Sequence, residues 1–281
     1  MTHAILASLL LPATFCLAQA PPAATLQLEG TRIPLPFALA LQRDNAEGLL
    51  DQAQELRILL TDKPVDLARL QGITPVFDLA PGVAAGEFKG ILLRLDPAKP
   101  TAVIVTLLAP PKVQGQSLTN LTLSRTPDGP FSNFRLHSGK VSGALEHPVE
   151  EGSEDMPSFG FNLAFDLPVG KAPAITEDLK GKAAAAHPAL AALRQRAQCL
   201  AKGDIEGAMA YSAPAALARD RAFLSQGGAE ARAMLPTMGK QLVKELARVQ
   251  RLIVRGDRAT ALFPDNNSFQ LRKVDGAWKV E

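Results

Sequence analysis

The chain has 281 residues, 47% of them hydrophobic and 21% charged, with a formal net charge of +2. That length accommodates two domains of ordinary size. One Trp and one Tyr are too few for the ring-stacking platforms that bind carbohydrate or single-stranded nucleic acid.

Residues 1–20 contain no Lys, Arg, Asp or Glu. The apolar run Ala4 to Leu11 has the length of a secretory h-region and is too short to span a bilayer. Ala18-Gln19-Ala20 fits a small-x-small cleavage site, while Pro21 would hinder a peptidase acting just after Ala20, so a cut after Ala18 competes. Phe15 is bulky where a lipoprotein signal has a small residue, which argues against a lipid anchor on Cys16. A signal peptide over 1–20 therefore sends the remainder to the periplasm or the medium. Removal of Cys16 leaves Cys199 alone, with no disulfide partner.

From 21 onward the pattern is β. Leu26 and Leu28 alternate with polar neighbours, as do Leu35, Phe37, Leu39 and Leu41. Strands follow at Glu55 to Thr61, Phe88 to Leu95, Ala102 to Leu107, Leu121 to Arg125, Lys140 to Leu145 and Phe159 to Phe165. Val65 to Leu70 reads as a short helix, and a Pro/Gly-rich turn precedes Phe88. Repeated breaks at Gly, Pro and Asp predict an antiparallel sandwich or barrel over 21–170. The acidic stretch Glu146 to Asp155 reads as a hairpin loop. Pro168 to Pro173 begins the link to the second unit, and the linker is placed at 171–184.

Composition and charge then change. Residues 21–175 hold 13 Lys and Arg against 17 Asp and Glu, whereas 176–281 hold 17 against 11. The asymmetry suits two units that attract each other. The basic residues are scattered, which speaks for a solvated surface and against a nucleic-acid site. Ala183 to Ala201 is helical, Gly203-Asp204 breaks it, and Asp204 caps a helix to about Tyr211. Helices follow from Pro214 to about Ser225 and from Ala229 to about Leu242, the latter kinked or ended by Pro236. Strands are expected from about Leu246 and at Arg258 to Phe263, Ser268 to Val274 and Ala277 to Val280. Turns fall at Gly256-Asp257, Asp265-Asn266-Asn267 and Asp275-Gly276. The fold class is α+β, with a smaller C-terminal unit of helices on a curved antiparallel sheet.

Helices first, then a meander ending in Val274-Asp275-Gly276-Ala277-Trp278-Lys279-Val280, resemble the nuclear transport factor 2-like superfamily, also called ketosteroid-isomerase-like or SnoaL-like. The Leu-Ala-Lys-Gly-Asp break and the Arg-Gly-Asp-Arg-Ala-Thr-Ala-Leu hairpin share in the likeness, which covers 185–281. It implies a sheet wrapped by helices around a cone-shaped pocket. The N-terminal region is similar to uncharacterised β-rich domains of bacterial secreted proteins, a likeness that implies no activity.

Catalytic members of such a superfamily place an Asp, His or Tyr in the cone. Here Tyr211 reads as a core residue, Asp204 as a cap and His187 as a surface residue at a helix start, so no catalytic residue is assigned. His137, His147 and the acidic residues near 150 lack the spacing of a metal site, and no cofactor is assigned. Arg255-Gly256-Asp257 is a hairpin turn. The sequence thus predicts a non-catalytic envelope protein that binds a small apolar ligand or a partner protein, with Tyr211, Phe223, Phe263, Phe269 and Trp278 near the pocket. An enzyme using that pocket for proton transfer or hydrolysis is the first alternative, and a purely structural envelope protein the second. Nucleic acid and a mature membrane span are not expected.

Overall fold

The computed structural model describes residues 24–281 apart from 51, 111, 113–117, 125–128 and 265–266. The expected signal peptide and its cleavage site lie outside the described residues. In chain order the first part comprises β1 (Thr25–Leu28), β2 (Thr31–Pro34), β3 (Phe37–Asp44), β4 (Gln54–Thr61), a 3-10 turn (Leu67–Leu70), α1 (Pro75–Ala84), β5 (Gly90–Leu95), β6 (Ala102–Leu108), β7 (Asn120–Ser124), β8 (Ser132–His137), β9 (Lys140–Glu150) and β10 (Phe159–Lys171). The second part comprises β11 (Glu177–Lys180), α2 (Gly181–Ala186), α3 (Pro188–Ala201), α4 (Ile205–Met209), α5 (Pro214–Leu246), β12 (Arg251–Arg255), β13 (Arg258–Leu262), β14 (Ser268–Val274) and β15 (Ala277–Val280).

The first sheet runs β2-β1-β10-β3-β4-β5-β6-β7, with β9 on β10 and β8 on β9. The expected sandwich or barrel takes the form of one sheet curled into a half-barrel. The long β10 makes the curl. Its first residues pair antiparallel with β1, and Val169, Gly170 and Lys171 pair parallel with Ala40, Leu41 and Gln42 of β3. The Pro168–Pro173 link is therefore largely strand.

β4 explains the layering. Every residue after Gln54 is buried, because both faces are covered. Leu56, Ile58 and Leu60 point into the curl with Phe161, Leu163 and Phe165 of β10. On the other face Leu59 meets Leu79 and Val83 of α1. That helix occupies the stretch expected as a turn. Pro75 stands in its first turn, where the missing N–H costs nothing, and Leu79 and Val83 are one turn apart. The helix expected over Val65 to Leu70 shrinks to the 3-10 turn, with Asp66 capping it through Ala68 N–H.

The second sheet is a meander, β11-β12-β13-β14-β15. β11 and α2 fill most of the range expected as linker. Asp204 caps α4, accepting from Gly207 N–H at 2.9 Å. The helices expected on either side of residues 226–228 join as α5, broken at Gly228 (φ 53°, ψ −129°). Pro236 stays inside the helix and does not end it. Packing overrides the lost hydrogen bond: Leu235 is buried with Leu200, Met209 and Leu224, and Gly239 admits α3 so closely that a Cβ there would sit 2.3 Å from Ala201 N. Helix continues through Leu246, so the strand expected there begins at Arg251. Asp275 (φ 51°) and Gly276 (φ 80°) both turn left-handed between β14 and β15, as a two-residue hairpin of the right twist requires. The Arg-Gly-Asp tripeptide is the β12–β13 turn, with Arg255 opposite Arg258.

Candidate functional site

Buried charge joins the two halves. Arg57 on β4 is fully buried; its guanidinium donates to the carbonyls of Leu70, Gly72 and Ile73, and its Nε to Glu55 at 2.6 Å. Burial pulls its pKa down to about 10, while Glu55 opposes that. The loop held in this way faces the second sheet. Arg43 reaches Gln71 O and pairs with Glu47 at 2.7 Å. Arg255 of β12 donates to the same Glu47 at 3.0 Å and also pairs with Asp44. Gln270 Oε1 accepts from Ile73 N–H at 3.3 Å.

Beside this seam lies a cleft of about 500 Å³, the largest of the cavities described. α1 forms one wall. Thr74, Phe77, Asp78 and Pro81 line it, spaced i, i+3, i+4 and i+7, so they share the stripe opposite Leu79 and Val83. The start of α5 forms the facing wall through Pro214, Ala215, Ala218 and Arg219. Ser268, Gln270 and Arg272 reach it from alternate positions of β14, with Phe269 beside them. Glu281 completes the floor.

Asp78 and Glu281, which line the cleft, belong to a three-member ion cluster. Arg258 Nη1 lies 3.1 Å from Asp78 Oδ2 and 3.0 Å from Glu281, and its Nη2 donates to Ala68 O at 3.2 Å. Asp78 belongs to α1, and Arg258 and Glu281 to the second half, so the cluster clasps the two. Burial raises the pKa of Asp78, with Arg258 opposing. Burial also raises that of Glu281, and the nearby Asp78 adds to the rise. Arg272 stands directly across the ladder from Arg258 and places its Nε 3.2 Å from Asp257.

The residues expected near a C-terminal pocket do not converge. Phe269 lines the cleft and stands edge-on to Phe263 at 5.6 Å. Phe263 and Trp278 are buried in the core between α3 and the second sheet. Trp278 meets His187 at 5.8 Å. Tyr211 lies beside Lys279 Nζ at 5.9 Å, away from the cleft lining. Phe223 is on α5 by a small hollow near Leu200 and Leu235. Leu190, Leu193, Leu252 and Leu271 fill the space between α3 and the sheet. Open volume in this half lies instead at the margin, in a groove of about 360 Å³ by Met238, Leu242 and Phe269.

His187, expected at the surface, is half-buried, and its Nδ1 accepts from Ala189 N–H at 3.1 Å as the cap of α3. His147, within the Glu146 to Asp155 stretch expected as a hairpin loop, is buried on β9 beside Phe159 and Phe161, because that strand continues to Glu150. Among the described residues no three His, Cys, Asp or Glu side chains converge as metal ligands. No helix among them is long and apolar enough to cross a membrane.

Sequence reading missed Asp78, Arg219, Arg258, Arg272 and Glu281. A signal existed for the first: Thr74, Pro75 and the Val76, Leu79, Val83 spacing mark a helix, which puts Phe77 and Asp78 on its outer face. Compared with known proteins, the chain matches no family model, no curated protein and no solved structure.

Proposed function

We propose that the chain is an exported, non-catalytic binding protein of the cell envelope, and that its ligand seats in the cleft between α1, α5 and β14. The observation that carries this reading is the cleft itself: a cavity of about 500 Å³ walled by Phe77, Phe269 and Pro214 beside Arg219, Gln270 and Ser268. Sites for small molecules combine an apolar body with a few polar groups in this way. Phe77 is 55% exposed at the cleft wall, so its ring is available to an apolar ligand. Asp78 and Glu281 are both tied to Arg258, which fixes their positions at the edge of the cleft.

The likeness of 185–281 to the nuclear transport factor 2-like superfamily is retained within this proposal, supported by helices that precede a four-strand meander. The occupied space differs from the family's cone, since the ligand would lie where the meander meets α1. Export to the periplasm or medium rests on the character of residues 1–20.

Native mass spectrometry of the protein purified from its host envelope tests the reading. A bound small molecule that is lost on Phe77→Ala substitution is the expected result. A bare chain mass, with no thermal stabilisation by envelope extracts, would overturn it.

A further inference from the structure

Charge commitments around the cleft differ by sign. Each carboxylate that lines it is already paired. Glu87 holds Arg69 at 2.9 Å, and Asp78 and Glu281 share Arg258. The guanidinium on the facing α5 wall is not so engaged. Arg219 has no ion-pair partner among the described residues; its guanidinium carbon stands 5.4 Å from the centroid of Phe77. Arg272, on β14, pairs through its Nε with the half-exposed Asp257 and also lines the cleft. One cleft-lining guanidinium, that of Arg219, is therefore left without a carboxylate, beside the exposed ring of Phe77 and the partly buried ring of Phe269.

Resting on the binding reading above, we infer that the cleft takes an amphipathic anion: a small molecule with a flat or alicyclic apolar body and one carboxylate, sulfonate or similar group. The body would lie along Phe77 and Phe269, with the anion between Arg219 and Arg272. A planar guanidinium matches such a group with two parallel hydrogen bonds. A cationic ligand would meet Arg219 and Arg272 without a free carboxylate to answer it.

Two fluorescent probes of similar shape and different charge test this: anilinonaphthalene sulfonate, an anion, and N-phenylnaphthylamine, which is neutral. Titrations at pH 7 use the purified chain, with circular dichroism to verify that each variant is folded. The sulfonate should bind at one site, about tenfold tighter than the neutral probe, as one charge-assisted contact allows. Arg219→Gln should abolish that preference, weakening the sulfonate about tenfold more than the neutral probe. Phe77→Ala should weaken both probes. Equal affinities that Arg219→Gln leaves unchanged, with Phe77→Ala still weakening both, would overturn the anion and keep the cleft as a binding site. Probe binding indifferent to Phe77→Ala, or no binding of either probe, would overturn both.

Discussion

Replacing Arg258 by Met strips the countercharge from Asp78 and Glu281 while keeping most of the side-chain volume. All three side chains are at most 15% exposed, so water from the cleft replaces the lost partner only in part. Removing one member of a buried ion pair leaves an uncompensated charge and costs about 3–5 kcal/mol. One kcal/mol moves the melting midpoint by about 2–4 °C in domains of 150–250 residues, so the drop should be on the order of 10 °C at pH 7. The sign of its pH dependence follows from the carboxyls. Their folded pKa values are already raised, and losing Arg258 raises them further. The penalty is present where both are ionised and is relieved as pH falls through those raised values. Differential scanning calorimetry from pH 4 to 8 should therefore show the deficit of the variant shrinking on the acid side. A wild-type midpoint at pH 7, or a deficit that grows on acidification, would refute the clasp.

Asp78→Asn should change the pH profile in a defined direction. Between the unfolded carboxyl's pKa near 4 and its raised folded value, the folded chain keeps a proton that the unfolded chain releases, so wild-type stability falls as pH rises. The midpoint difference, variant minus wild type, should increase through that window, and thermal melts at fixed ionic strength check it. Gly239→Val should destabilise by about 1–3 kcal/mol, since its side chain would enter the backbone of Ala201; denaturant unfolding reads this. Ile58→Ala should cost about 2–5 kcal/mol through the cavity left inside the curl, with probe affinity in the cleft unchanged.

Much of the strand order was legible. Leu-, Ile- and Val-rich runs at β4 and β5 are continuous because both sheet faces are covered there, and turn residues bound each one. The hairpins at Gly256-Asp257 and Asp275-Gly276 were legible for the same local reason. α1 was not: Pro75, Pro81 and Gly82 read as breakers, yet burial of Leu79 and Val83 on β4 holds the helix together. The end of α5 and the start of β12 were confused because Val249 to Val254 is β-prone on both sides of the true boundary. The candidate site was largely illegible. Asp78 meets Arg258 and Glu281 across about 200 residues, and no local spacing announces such a meeting. Of the five aromatic and phenolic residues proposed for the pocket, Phe269 alone lines the cleft, since Phe263 and Trp278 were drawn into the core by the packing of α3.

The position of β11 bears on where the second half can be cut free. Glu177 to Lys180 pairs with Val254 to Arg251, and Asp178 grips Arg251 with two contacts of 2.7 Å. A fragment begun at residue 185, the boundary that composition suggests, would lose this strand and bare the hydrogen-bonding edge of β12. Exposed edges recruit other strands, so such a fragment should self-associate or precipitate. One begun before Thr176 carries its own edge protection and is the piece with which to ask whether the second half folds unaided.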